Sequence, residues 1–296
     1  MSGGQKMPAI PAAIVKPGYK PQSEDTSIDA DVLQMKQWQR FPIWKKAQSV
    51  SNWTQGCCRL CLAGIKQQYP TYTPTQRRRE FVRRRLGEEW VDLSSSLGIQ
   101  GEIMIGDPIG LALQVAEIFT RLDIPYLVGG SVASSLLGEP RATLDLDVVA
   151  DLKISQVDAF IAAVEADFYV SSDAVREAIS YQSSFNLIHL ETNEKVDIFI
   201  LKPQPLSQSE MERRQRQMVT EKPPQYLYLP TPEDIILQKL IWYQLGGRQS
   251  ERQWRDLLGV LKVQGETLDF QYLWHWAEPL SLSELLGQAL IEAGLM

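Results

Sequence analysis

The segment Leu144–Ala150, LDLDVVA, sets acids into a run otherwise built for a strand. Successive side chains of a strand point to opposite faces, so Asp145 and Asp147 share one face and Leu146 and Val148 the other. Such a strand demands a sheet with one packed apolar side and one acidic side. Two carboxylates held side by side repel each other unless a cation stands with them. A third acid, Asp197, interrupts KVDIFIL (Lys195–Leu201), where a charge is costly unless it is paired or binds a metal. A hard divalent cation with oxygen ligands answers both demands, and Mg²⁺ keeps its remaining positions for water and phosphate. Together the three acids suit a site with two ions, one activating an attacking hydroxyl and one steadying a leaving pyrophosphate.

Upstream, YLVGG (Tyr126–Gly130) predicts a short buried strand ending in a glycine turn, and Ser131–Leu137 a short helix. Glycine lets the backbone approach a ligand, and a helix N-terminus presents N–H groups and a positive dipole end to phosphate. Gly129, Gly130 and Ser131 are therefore candidates for holding a nucleoside triphosphate, although Ser131 serves equally as a plain helix cap. Arg141, just before the acidic strand, is a candidate phosphate contact or a loop cap.

The whole stretch LVGGSVASSLLGEPRATLDLDVV resembles the signature of the DNA-polymerase-β-like nucleotidyltransferase superfamily: Gly-Ser, a spacer, then two aspartates flanking an apolar residue. It is most similar to the small bacterial nucleotidyltransferase proteins grouped with the AbiEii-type toxins, over roughly Leu111 to Leu261. GEPRATLDLD is also similar to the CCA-adding branch, but the motif expected soon afterwards in that branch is absent. The expected fold is α+β: a mixed sheet with flanking helices, as the resemblance implies, preceded by a small all-α module, which the helical pattern over 30–90 gives, and followed by C-terminal helices. It implies Asp145, Asp147 and Asp197 as metal ligands, Gly130-Ser131 at the triphosphate, Lys239 as a functional lysine and Asp256 as an acid on the next helix. The chain would then be an enzyme moving a nucleoside monophosphate from an NTP such as ATP to an acceptor hydroxyl on RNA, protein or a small molecule. The alternatives are a degenerate transferase that binds or regulates, and a toxin–antitoxin-like arrangement. Without the resemblance, Lys239 lies beside an apolar stripe and Asp256 one turn from Arg252.

Charge divides the chain unevenly. Residues 30–90 hold twelve basic and four acidic side chains, a local +8; with −6 overall, the remainder carries −14. The expected layout is a flexible tail over 1–30, rich in proline, a basic helical module over 31–93, a linker over 94–107, and a catalytic domain with helical C-terminal part over 108–296. The helix Arg77–Arg85 offers either a solvated face, a docking face for the acidic half, or a site for an anionic partner such as RNA. Strands are expected at Phe185–Glu191 and Lys195–Leu201, paired as a hairpin, and helices at Leu111–Leu122, from Ser155, from Pro232 and from Ser250. His189 reads as a satisfied core or edge residue, Trp242, Tyr243 and Trp254 as core aromatics on helices and not base-stacking platforms, and Cys57, Cys58 and Cys61 as buried helix residues without the fourth ligand that zinc wants. No apolar run reaches the roughly 18 residues of a membrane span, and a cytoplasmic location is expected.

Overall fold

The computed structural model describes residues 12–88, 90–92 and 103–296. They form two compact units, one of residues 43–136 and 140–231, the other of residues 12–42, 137–139 and 232–296. As the resemblance implies, the fold is α+β, with a mixed five-stranded sheet and many helices.

The first unit carries the sheet. Its strands are β1 (Tyr126–Val128), β2 (Asp145–Ala150), β3 (Phe168–Tyr169), β4 (Ser184–His189) and β5 (Lys195–Ile200), in the order β1-β2-β5-β4-β3. β2 and β5 are parallel, and the other pairs are antiparallel. Alternation decides the faces. Leu146, Val148 and Ala150 of β2 and Val196, Ile198 and Ile200 of β5 are all buried. They join Phe119, Phe160, Phe185 and Leu187 in one core. Each Val, Leu, Ile or Phe among them contributes roughly 1.5–3 kcal/mol when removed from water.

Helix α2 (Ile43–Gln68) is followed by α3 (Pro74–Leu86), which starts at a capping box between Thr73 and Gln76 with Pro74 in the first turn. Helix α4 (Pro108–Arg121) opens on Asp107, whose carboxylate accepts the Ile109 N–H at 3.0 Å. α4 and α5 (Gly130–Leu137) flank β1 in sequence. After β2, a 3-10 turn at Ile154–Gln156 leads into α6 (Val157–Val164), two residues later than Ser155 suggests. Helices α7 (Ser172–Tyr181) and α8 (Pro205–Arg213), strand β3 and the hairpin β6–β7 (Gln215–Thr220 and Gln225–Leu229) have no counterpart in the sequence reading.

The second unit contains α1 (Ile28–Arg40), α9 (Pro232–Leu245), α10 (Glu251–Gln264), α11 (Phe270–Ala277) and α12 (Ser283–Glu292). Four expectations are corrected here. Residues 12–27 are not a free tail: the Ala13 N–H donates to Asp29, the Lys20 N–H to the Glu292 carbonyl and the Gln22 N–H to Asp31. The basic helices are not one module, because α1 falls in this unit whereas α2 and α3 fall with the sheet. Trp242 is 52% exposed rather than core, while Tyr243 and Trp254 are partly buried and face each other at 4.8 Å. Of the cysteines on α2 only Cys58 is buried; Cys57 is exposed and Cys61 intermediate. Residues 1–11 of the expected tail and 94–102 of the expected linker lie outside the described residues, while Ile103 and Ile105 pack against Cys58, Ile65 and Phe81. Among the described residues no helix is long and apolar enough to cross a membrane.

Candidate active site

β2 and β5 lie in register. Asp147 pairs with Asp197 and Asp145 with Lys195, and on the far side of β5 Asp197 pairs with Asn186 of β4. Paired residues of neighbouring strands point the same way, and strands lie about 4.8 Å apart. All three aspartates therefore stand on the sheet face opposite the core. Burial of Val196 and Ile198 is what forces Asp197 outward, as burial of Leu146 and Val148 does for Asp145 and Asp147.

The glycine turn meets this face at Asp147. Gly129 continues the β1–β2 ladder, donating its N–H to the Asp147 carbonyl at 2.9 Å. Gly130 follows at φ +55°, a conformation side chains resist. A Cβ built on it would stand 1.8 Å from Asp147 Oδ2. The close approach that Gly130 permits is thus made by the Asp147 carboxylate itself, at the first turn of α5. Gly129 differs: a Cβ there would meet Leu127 at 3.9 Å, an ordinary contact.

Ser131 is tied to the acidic strand through hydroxyls. Its Oγ lies 2.5 Å from Thr143 Oγ1, which donates to the Asp145 carbonyl at 3.3 Å. Thr143 is in turn bracketed by Thr54 of α2. The Thr143 N–H donates to Thr54 Oγ1 at 3.1 Å, and that hydroxyl donates to the Thr143 carbonyl at 3.2 Å. Both threonines are buried. Arg141, two residues upstream, donates to the Ala142 carbonyl at 3.1 Å and is partly buried.

The acids have a cation that the sequence reading passed over. Lys195 Nζ lies 2.9 Å from Asp197 Oδ2. Burial disfavours the charge of Lys195, but its bond to Asp197 and the field of Asp197, Asp145 and Asp147 outweigh that and hold its pKa above the ordinary lysine value. The signal was present: Lys195 and Asp197 are two apart on one strand, the same spacing that paired Asp145 with Asp147.

Lys239 and Asp256 belong to the other unit. They face each other at 2.7 Å from α9 and α10, both buried.

The basic helix α3 serves the β4–β5 turn. Arg78 donates to Asn193 at 2.9 Å and to the Leu190 and Glu191 carbonyls at 3.0 and 2.7 Å. Arg85 stands 3.7 Å from Glu194, with both side chains buried. Burial pushes the Glu194 pKa up, while Arg85 and the Thr192 hydroxyl pull it back. Arg83 and Arg84 both bind Glu80, at 2.7 and 2.6 Å. Four arginines of the run are thereby engaged within this unit, and Arg79 is exposed.

Among the described residues, no group of three His, Cys, Asp or Glu side chains is arranged to hold a metal ion by itself. Magnesium commonly takes only one or two carboxylates and fills its octahedron with water and substrate phosphate. The all-oxygen pair Asp145 and Asp147, open on one sheet face, fits that lesser demand.

The chain is similar to solved nucleotidyltransferase structures. A nucleotidyltransferase-like antigenic protein from Paracoccidioides brasiliensis is 20% identical, with TM-score 0.39, covering 64% of this chain and 93% of that one. The lincosamide antibiotic adenylyltransferase LnuA, solved with lincomycin, is 15% identical, with TM-score 0.34, covering 50% and 93%. The antibiotic-resistance factor ANT(2'')-Ia is 12% identical, with TM-score 0.39, covering 60% and 96%. No protein-family model matches the chain, and no curated protein does. Likenesses this loose leave the function to be argued from the residues of the site.

Proposed function

We propose that the chain transfers a nucleoside monophosphate from an NTP to an acceptor hydroxyl, with Mg²⁺ as cofactor. The observation that carries this reading is the registered row Asp147–Asp197 beside Asp145, open on one sheet face, with a glycine turn and a helix start against it. Asp145 and Asp147 would hold the ion, which when bound neutralises phosphate charge and orients the triphosphate. Gly129, Gly130 and Ser131 would present backbone N–H groups and a hydroxyl at the start of α5 to the phosphates. Asp197, paired with Lys195, would take the proton of the acceptor hydroxyl. That oxygen would then form a bond to the α-phosphorus as the bond to the bridging oxygen breaks and pyrophosphate leaves. Lys239 and Asp256, given roles by the resemblance to the AbiEii-type proteins, would support the second unit through their ion pair.

Incubation with each of four α-³²P-labelled NTPs, MgCl₂ and a cell extract tests the reading. Label should pass to an acceptor with release of pyrophosphate, and Asp147→Asn should abolish this at an unchanged melting midpoint. Absence of transfer from every NTP, or undiminished transfer by the Asp147→Asn protein, would refute it.

A further inference from the structure

Resting on the function proposed above, we infer that this site works with one bound divalent ion, and that the ammonium of Lys195 stands in the place a second ion would take beside Asp197. A second ion near the attacking hydroxyl would draw on Asp197 of β5 together with the β2 acids. Here Asp197 already has a cation at 2.9 Å, supplied from its own strand two residues away. The partnership is built into the backbone. The spacing puts both side chains on one face, and the register sets Lys195 opposite Asp145 and Asp197 opposite Asp147. A divalent ion at Asp197 would have to displace the ammonium or sit against it, and like charges at such range repel strongly. Lys195 and Asp197 are only 23% and 18% exposed, so water screens that repulsion incompletely. The register also sets Lys195 opposite Asp145, which places its charge within the acid row and not outside it. Asp145 and Asp147 remain a two-carboxylate site of the kind magnesium completes with phosphate and water.

Lys195 then fills a role that needs no second divalent ion. It neutralises Asp197 while leaving one of that carboxylate's oxygens able to accept a proton. An ammonium has fixed charge and three donors but no vacant coordination position, so the acceptor hydroxyl would be activated by Asp197 and not by direct ligation.

Manganese can be counted directly. The whole chain is titrated with Mn²⁺ in the presence of each of the four α,β-methylene NTP analogues, and free Mn²⁺ is read by electron paramagnetic resonance. The native protein should hold one Mn²⁺ per chain with the analogue that binds. Lys195→Met removes the charge at nearly constant length and should admit a second ion, giving two per chain, whereas Lys195→Arg should stay at one. Two ions in the native protein would overturn the inference and leave the proposed function standing. One ion in both the native and the Lys195→Met proteins would also overturn it, since the lysine would not be what excludes the second. No Mn²⁺ held with any analogue would overturn the inference and the proposed function together.

Discussion

Two lysine–aspartate pairs, one in each unit, solve different problems with the same chemistry. Lys239 and Asp256 join two helices across 2.7 Å, with side chains 6% and 5% exposed. Lys195 and Asp197 are neighbours on one strand across 2.9 Å, about a fifth exposed, in a row with two more acids. Burial of the first pair shuts its charges away from solvent. Openness of the second leaves its charges to act on whatever reaches the sheet face. A lysine is informative less by its helix or strand than by whether its partner is surrounded.

The largest effect expected of this contrast is on stability. Lys239→Met leaves a buried aspartate without its lysine, and should cost about 3–5 kcal/mol in urea unfolding. A cost below about 1 kcal/mol would show that the pair is wetter than its burial suggests. Next come the two glycines. Gly130→Ala should cost roughly 2–3 kcal/mol, because positive φ and the Asp147 carboxylate both oppose a Cβ. Gly129→Ala, which finds ordinary contact, should stay within about 1 kcal/mol. Equal costs at the two sites would break the claim that Asp147 occupies the turn. Thr54→Val strips two bonds from the Thr143 backbone and should cost about 1–3 kcal/mol. It should weaken binding of an NTP analogue in calorimetry, whereas Thr54→Ser retains both properties. The smallest effect is the sharpest test: Lys195→Met should change stability by only about 0–1 kcal/mol, as a partly exposed pair would. A loss approaching that at Lys239 would erase the distinction between the pairs.

What the sequence made legible follows from how local each signal is. The face of the sheet that bears Asp145, Asp147 and Asp197 could be read because alternation is a property of single strands. The same rule applied to Lys195 would have found it, but a lysine at a strand start draws less notice than an acid in an apolar run. Gly130 was read as a turn glycine, yet its neighbour is a side chain seventeen positions away, which only the pairing of β1 with β2 brings near. Thr54 gave no signal at all, since nothing in its helix points to Thr143. The short β3 and the β6–β7 hairpin lack long runs of alternation: β6 (QRQMVT) is mostly polar and β7 (QYLYL) almost wholly apolar. The charge block over 30–90 was real, but it did not mark a module. Four of its arginines, Arg78, Arg83, Arg84 and Arg85, are taken up by particular carbonyls and carboxylates, a use that a net charge cannot distinguish from a solvated face.

The grip of α3 on the β4–β5 turn has a consequence for how this protein tolerates change. Hairpin turns ordinarily lie at the surface and accept added residues. Here Thr192, Asn193 and Glu194 are buried, with Arg78 and Arg85 against them. The length of that turn is fixed from outside. An inserted residue would have to break the grip or be absorbed by β5 as a slip of one position. Such a slip would carry Lys195 and Asp197 to the apolar side and bring Val196 and Ile198 out in their place. Tags, linkers and circular permutation points that are harmless at other hairpins would therefore be expected to fail at this one, and natural length variation should be sought elsewhere in the chain.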